Sequence, residues 1–165
     1  MAQNPPLEIF ETTIRPEWID YNGHMNVAYY LLVFDKAVDK LLESIGMGKD
    51  YTDAGRGAAF SLECHITYQR EVLEGDPVRV TVQMLDLDSK SMHFFLRMHH
   101  AEKGFLVATC EQMGIHVDIK VRKSAPFPTS THQKLRQMLE GHQGLPRPVE
   151  SSRPMGIRRG KLAAQ

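Results

Sequence analysis

Between Trp18 and Tyr30 the chain reads WIDYNGHMNVAYY, and this stretch gathers the side chains most able to do chemistry. Carboxylates are ionised at neutral pH, so Asp20 offers a group that can attack an acyl carbon or deprotonate water. Asn26 stands six residues later, immediately before an apolar periodic run, and is a good helix N-cap. The first backbone N–H groups of a helix lack intrahelical partners, and the helix dipole makes its N-terminus attractive to negative charge. Donors fixed at Val27 would therefore stabilise the oxyanion of a tetrahedral intermediate more than a neutral carbonyl. Gly23 permits close approach of backbone or ligand, and His24 is placed to orient water, bind substrate or hold the loop. The same residues would serve equally as an Asx turn followed by a helix cap. No G-x-S-x-G elbow accompanies them.

These residues need a helix behind them and a sheet to bury it. From Val27, the residues Leu31, Phe34, Val38, Leu41 and Ile45 recur at helical steps, with Asp35, Lys36, Asp39, Lys40 and Glu43 largely off that stripe. Gly46 and Gly48 end the pattern. A short strand, LEIFETTI (7–14), precedes the cluster, and a Gly-rich connection follows the helix. Four strand-like segments come next, divided by turns at Gly75-Asp76-Pro77, Asp88-Ser89-Lys90 and Glu102-Lys103-Gly104. In the first, Phe60, Leu62, Cys64, Ile66 and Tyr68 alternate with Glu63, His65 and Thr67. In the next two, Val78, Val80, Val82 and Met84, then Met92, Phe94, Leu96 and Met98, point inward. Gly114 marks a bend or bulge in the last. The order strand, long helix, four-strand meander gives an α+β two-layer fold, a long helix wrapped by a curved five-stranded antiparallel sheet. A second helix is expected over 129–140, then an extended tail. We divide the chain into a main domain at 1–125 and a C-terminal helix and tail at 126–165.

Composition narrows the function. The chain has 165 residues, with Lys+Arg and Asp+Glu equal at 20 each, which argues against a nucleic-acid binder. The two cysteines, Cys64 and Cys110, form no metal or disulfide framework, and no secretory signal or membrane-length apolar run is present, so a cytoplasmic protein is expected. His99 and His100 are adjacent on a strand, point to opposite faces and cannot chelate together, and no metal is expected. Lys120, Arg122 and Lys123 form a basic run that suits either a solvated turn or the phosphates of a ligand.

The segment DYNGHMNVAYY resembles the D-x-x-G-H-hydrophobic-N-x-x-x-Y signature of hot-dog-fold thioesterases of the 4-hydroxybenzoyl-CoA thioesterase type. The element order over roughly residues 7–121 is similar to that fold. The resemblance implies that Asp20 is the catalytic carboxylate and that the backbone N–H near Val27, capped by Asn26, receives the oxyanion. It implies an acyl-CoA substrate, no metal or redox cofactor, and a homodimer or dimer of dimers with clefts between subunits. Many members carry a second Asp two residues before the catalytic one, where this chain has Trp18. ATCEQMGIHVD, then RKSAPFP and a late LPRP, resemble the betainyl-CoA thioesterases of carnitine catabolism. That likeness implies hydrolysis of betainyl-CoA to glycine betaine and CoA by a free-standing form. A trimethylammonium group wants aromatic faces and carboxylates, for which Trp18, Tyr68, Glu63 and Glu111 are the candidates. Gly23, His24 and Tyr30 complete the expected substrate contacts, and Lys120, Arg122 and Lys123 the CoA-phosphate contacts. The alternatives are a thioesterase for aromatic or fatty acyl-CoA or acyl carrier protein, a hydratase using Asp20 and His24, and a non-catalytic acyl-CoA-binding module.

Overall fold

The computed structural model describes residues 5–157, so the basic positions Arg158, Arg159 and Lys161 lie outside the described residues. The chain runs β1 (Leu7–Thr13), a single helical turn (Pro16–Trp18), α1 (Val27–Ile45), a short α2 (Lys49–Asp53), β2 (Ala58–Tyr68), β3 (Pro77–Leu87), β4 (Ser91–His100), β5 (Leu106–Asp118), a two-residue β6 (Lys123–Ser124) and α3 (Thr129–His142).

Helix α1 begins and ends where its caps require. Asn26 is extended, and its side-chain oxygen accepts the Ala28 N–H at 3.0 Å. Gly46 closes the helix at φ +84°, a left-handed conformation that a side chain would strain, and the next N–H, of Met47, returns to Leu42 O at 2.8 Å. The buried stripe is Tyr30, Val33, Phe34, Ala37, Val38, Leu41 and Ile45. Val27 and Leu31, expected on that stripe, are instead 57% and 48% exposed, because the buried stripe centres on Tyr30, Phe34, Ala37 and Leu41 and leaves these two on its flank.

The sheet is antiparallel throughout, in the order β1-β3-β4-β5-β2, with β6 added beside β5. Only β3, β4 and β5 form a meander. The expected four-strand meander fails because residues 69–76 carry the chain from β2, on one edge, across to β3. Val78, Val80, Val82 and Met84 of β3, and Met92, Phe94, Leu96 and Met98 of β4, face α1 and are almost fully buried. Strand β2 departs from strict alternation. Its register against β5 shifts between Ser61 and Glu63, so Phe60 pairs with Ile115 while Ile66 pairs with Cys110. The extra residue, Leu62, puts Phe60 on the opposite face from Cys64, Ile66 and Tyr68. The bulge is thus in β2. Gly114 of β5 lies opposite Ser61, and a Cβ there would stand 2.9 Å from the Met92 side chain.

Helix α3 covers what β1 leaves open. Strand β1 pairs with β3 only as far as Val82, and beyond it the Met84 N–H donates to His142 Nδ1 at 3.0 Å. Leu135 is fully buried, and Thr131 Oγ1 donates to Ile45 O at 3.3 Å. The following residues cross the face of the sheet turned away from α1. They are tied by Gln83 Nε2 to Pro146 O at 3.2 Å and by Ser152 N to Glu111 Oε2 at 2.6 Å. Phe95, on that outer face, is only 1% exposed. Among the described residues no helix is long and apolar enough to cross a membrane.

Two outcomes are expected. Leu135→Ala should lower stability by about 2–5 kcal/mol in a single urea transition. A second transition with the main midpoint unchanged would mean that α3 folds apart. Burial also holds the His142 imidazole below its ordinary range, with a backbone hydrogen bond at Pro5 acting the other way. The folded state therefore favours neutral His142. Its contribution is complete above the unfolded value of about 6.5 and is lost as pH falls through the depressed folded value. His142→Gln should flatten that acid limb of stability measured against pH; an unchanged limb would remove His142 from it.

Candidate active site

The loop from Trp18 to Asn26 folds back on itself. Ile19 and Met25 form an isolated antiparallel bridge, and Asn26 N donates to Trp18 O at 2.8 Å. Within the loop, Asp20 N donates to His24 O at 3.1 Å and Gly23 N to Asp20 O at 3.0 Å. Gly23 has φ +83°, and a Cβ there would meet nothing within 4 Å, so the backbone conformation rather than close approach requires glycine. A further bond, Met25 N to Val72 O at 2.9 Å, ties the loop to the connection leaving β2. The start of α1 is thus held from both sides.

Asp20 is partly exposed in this loop, and its Oδ1 accepts the Asn22 N–H at 2.8 Å. That is the expected Asx turn, and it leaves the second carboxylate oxygen for other work. At the helix start Asn26 takes two donors, Ala28 N through its side chain and Tyr29 N through its carbonyl. Among the described residues the Val27 N–H has no acceptor, and Val27 is exposed. An open carboxylate and an open helix-end donor thus lie on one short, pinned segment. His24 Nδ1 lies 3.2 Å from Met25 O, which fixes Nδ1 as the donor and leaves Nε2 as the acceptor in the neutral ring.

Aromatic rings surround this segment. Tyr30 is buried, and Tyr68, half-exposed on the edge strand β2, meets it edge-on with centroids 5.1 Å apart. Burial pushes the Tyr30 phenol above its ordinary range. A backbone hydrogen bond at Val72 opposes this, and the charges of Glu71, Tyr68 and Asp20 reinforce it. Tyr30 therefore stays neutral beside Asp20 at physiological pH. Trp18 is 8% exposed, stacked on Tyr29 at 5.7 Å and covered by the Arg15 guanidinium at 5.2 Å. Its ring already has neighbours, so the accessible aromatic surface comes from Tyr68 and from Tyr21, which stands exposed in the loop beside Asp20.

The remaining expected contacts lie elsewhere. Glu63 and Glu111 are on the outer face, where they line a cavity of about 580 Å³ with His65 and His93 beneath residues 152–155. Glu111 is held there by His93 Nε2 at 2.8 Å and by Ser152. The sheet separates these carboxylates from Asp20. Lys120, Arg122 and Lys123 sit past the far end of β5. At ~3.3 Å per residue, Asp118 is roughly 30 Å along the strand from Ala108, the partner of Tyr68. One chain therefore brings together Asp20, Gly23, His24, Asn26, Val27, Tyr30 and Tyr68, beside the covered Trp18, and leaves Glu63, Glu111 and the basic run outside. Sequence reasoning did not single out Tyr29, Glu71 or His93. His93 and Glu111 are diagonal neighbours on the outer face of β4 and β5, and their polar character on that face could have flagged the pair; nothing in the irregular 69–76 segment flags Glu71.

The cap can be tested on its own. Asn26→Ala should cost about 0.5–2 kcal/mol of stability in denaturant titration. A loss of under a few tenths would show that the helix start is held without it.

Residues 14–135 match the family model described as the thioesterase-like superfamily. The betainyl-CoA thioesterase of Pseudomonas aeruginosa is 38% identical over 92% of this chain and 95% of its own length. The L-carnitine dehydrogenase/betainyl-CoA thioesterase of Rhizobium meliloti is 40% identical over 93% of this chain, which spans only 31% of that longer protein. Among solved structures, a Staphylococcus aureus protein in complex with CoA superposes with TM-score 0.87 at 26% identity, covering 96% of this chain and 100% of that one.

Proposed function

Because the chain belongs to the thioesterase-like superfamily, we propose that it hydrolyses an acyl-CoA thioester at the N-terminus of α1, with betainyl-CoA as the substrate. The observation that carries the reading is that the open Asp20 carboxylate and the unpartnered Val27 N–H sit on one short segment tied down at both ends of its loop. The acyl carbonyl oxygen takes the Val27 N–H, which strengthens as negative charge develops on that oxygen. Asp20 either removes a proton from the attacking water or attacks the carbonyl carbon itself to give a mixed anhydride. In both routes the carbon–sulfur bond breaks, CoA leaves as a thiolate that takes up a proton, and water supplies the oxygen of the product carboxylate. The reaction calls on no metal or redox cofactor. A cytoplasmic setting suits the two unpaired thiols.

Two features support the head group. Relatives sharing more than a third of their residues over nearly the whole chain are named for betainyl-CoA, and the half-exposed ring of Tyr68 offers a π-face to a quaternary ammonium.

We further propose that the site is completed by a second copy. Strand β2 is an open edge carrying Phe60, Leu62 and Tyr68 at 44%, 59% and 50% exposure. Exposed apolar edges of this kind invite strand addition. In a two-fold antiparallel pairing of β2 strands, the Ala58 end of one chain lies beside the Tyr68 end of the other. Val117 pairs with Ala58, so the Lys120–Lys123 turn follows that end toward the partner's Asp20. This accounts for a CoA-phosphate role for a basic run that is remote within its own chain.

Thiol release from a panel of acyl-CoAs tests the reading. Betainyl-CoA should be hydrolysed fastest, and Asp20→Asn should lower kcat by roughly 100-fold or more with the fold intact. Near-wild-type kcat in the variant would remove Asp20 from the mechanism. Preference for aromatic or fatty acyl-CoAs would keep the chemistry and discard the head group.

A further inference from the structure

A second concavity on the outer face of the sheet has no part in the hydrolysis above. It measures about 500 Å³ and lies beneath Leu145 and Pro146. Its floor is two successive outward-facing rungs of the β3–β4 ladder, where Arg79 stands opposite His99 and Thr81 opposite Arg97. Residues directly opposite share a face, as do residues two apart along a strand, so all four side chains rise together from corners roughly 5–8 Å apart. Every one of the four can donate a hydrogen bond.

Arg79 and Arg97 stand diagonally across the ladder on the same face, close enough for long side chains to meet. Here the positive charges are also poorly matched. Arg79 has only a long contact with Glu8, Nε to Oε2 at 3.9 Å. The Arg97 guanidinium lies over the Phe95 ring at 5.0 Å and reaches Gln83 Oε1 at 3.4 Å. Glu150 acts on Arg97 from the crossing segment, yet burial still holds Arg97 below its ordinary range. Burial, then the charges of Arg79 and Arg97, hold the His99 imidazole down as well. These effects agree with the geometry in pointing both arginines at one space. Pro6, Leu145 and Pro146 wall the cavity beside this polar floor, and its one lining carboxylate, Glu8, meets Arg79 only at long range, so two guanidinium forks against one carboxylate favour an anionic occupant.

We propose that Arg79, Thr81, Arg97 and His99 form a binding site for a phosphoryl group, separate from the Asp20 site and on the opposite face of the sheet. A tetrahedral oxyanion presents oxygens in several directions and matches donors at four corners, whereas a carboxylate presents only two. The group is either free phosphate or the phosphate of a nucleotide monoester, since both offer the same oxygens.

NMR titration of the His99 ring together with thermal unfolding tests this on the whole chain. Inorganic phosphate and adenosine monophosphate are compared with acetate at matched ionic strength. A bound phosphoryl group brings negative charge to His99, so its pKa should rise and Tm should increase with ligand concentration. Arg79→Gln, at a partly exposed position, should weaken binding about tenfold or more while leaving thiol release unchanged. Response to inorganic phosphate supports a free-phosphate site, and response to the nucleotide alone supports a site for an esterified phosphate. No movement of His99 with either, or equal affinity in the Arg79→Gln chain, overturns the proposal.

Discussion

The molecule depends on holding the first turn of α1 at the rim of the sheet while burying the rest of that helix within it. Two backbone bonds do this, Asn26 N to Trp18 O and Met25 N to Val72 O. They come from opposite sides, one from the loop after β1 and one from the connection after β2. The helix start is therefore fixed by segments whose own positions are set by the sheet. Without both, neither Asp20 nor the Val27 N–H would keep a defined relation to the other. Hydrophobic burial further along, at Phe34, Ala37 and Leu41, supplies the energy that keeps the helix seated.

The sequence exposed this arrangement unevenly, for physical reasons. The Asn26 and Gly46 caps and the inward faces of β3 and β4 were legible because each follows from local periodicity or backbone chemistry. The phase of β2 was not, since a single bulged residue, Leu62, reverses a strict alternation without leaving a compositional mark. Nor was the sheet order, because the 69–76 connection resembles a turn while serving as a crossing. Asp20, Asn26 and Val27 were found together because they occupy eight consecutive positions. Glu63 and Glu111 were grouped with Tyr68 only by their chemistry, and the sheet sets them on its other face.

The two faces have different tasks. The face toward α1 is apolar and largely sealed, and it opens along β2, where Tyr68 meets the helix start at the edge. The outer face carries the polar set, including His93–Glu111 and the cluster around Arg79 and Arg97, and is roofed by residues that follow α3. Phe95 and Gln83 lie buried beneath that roof. The C-terminal segment therefore shapes polar cavities as well as shielding the sheet, and these lie apart from the chemistry proposed at α1.

The central claim is that the site at α1 selects a quaternary ammonium acyl group for hydrolysis. It is tested most directly by kcat/KM for betainyl-CoA against its uncharged carbon isostere, tert-butylacetyl-CoA. The two differ only in exchanging N⁺ for carbon, so size and shape cancel. A cation held against Tyr68 in a partly desolvated site should favour betainyl-CoA by about tenfold or more. Equal or reversed preference would contradict the account.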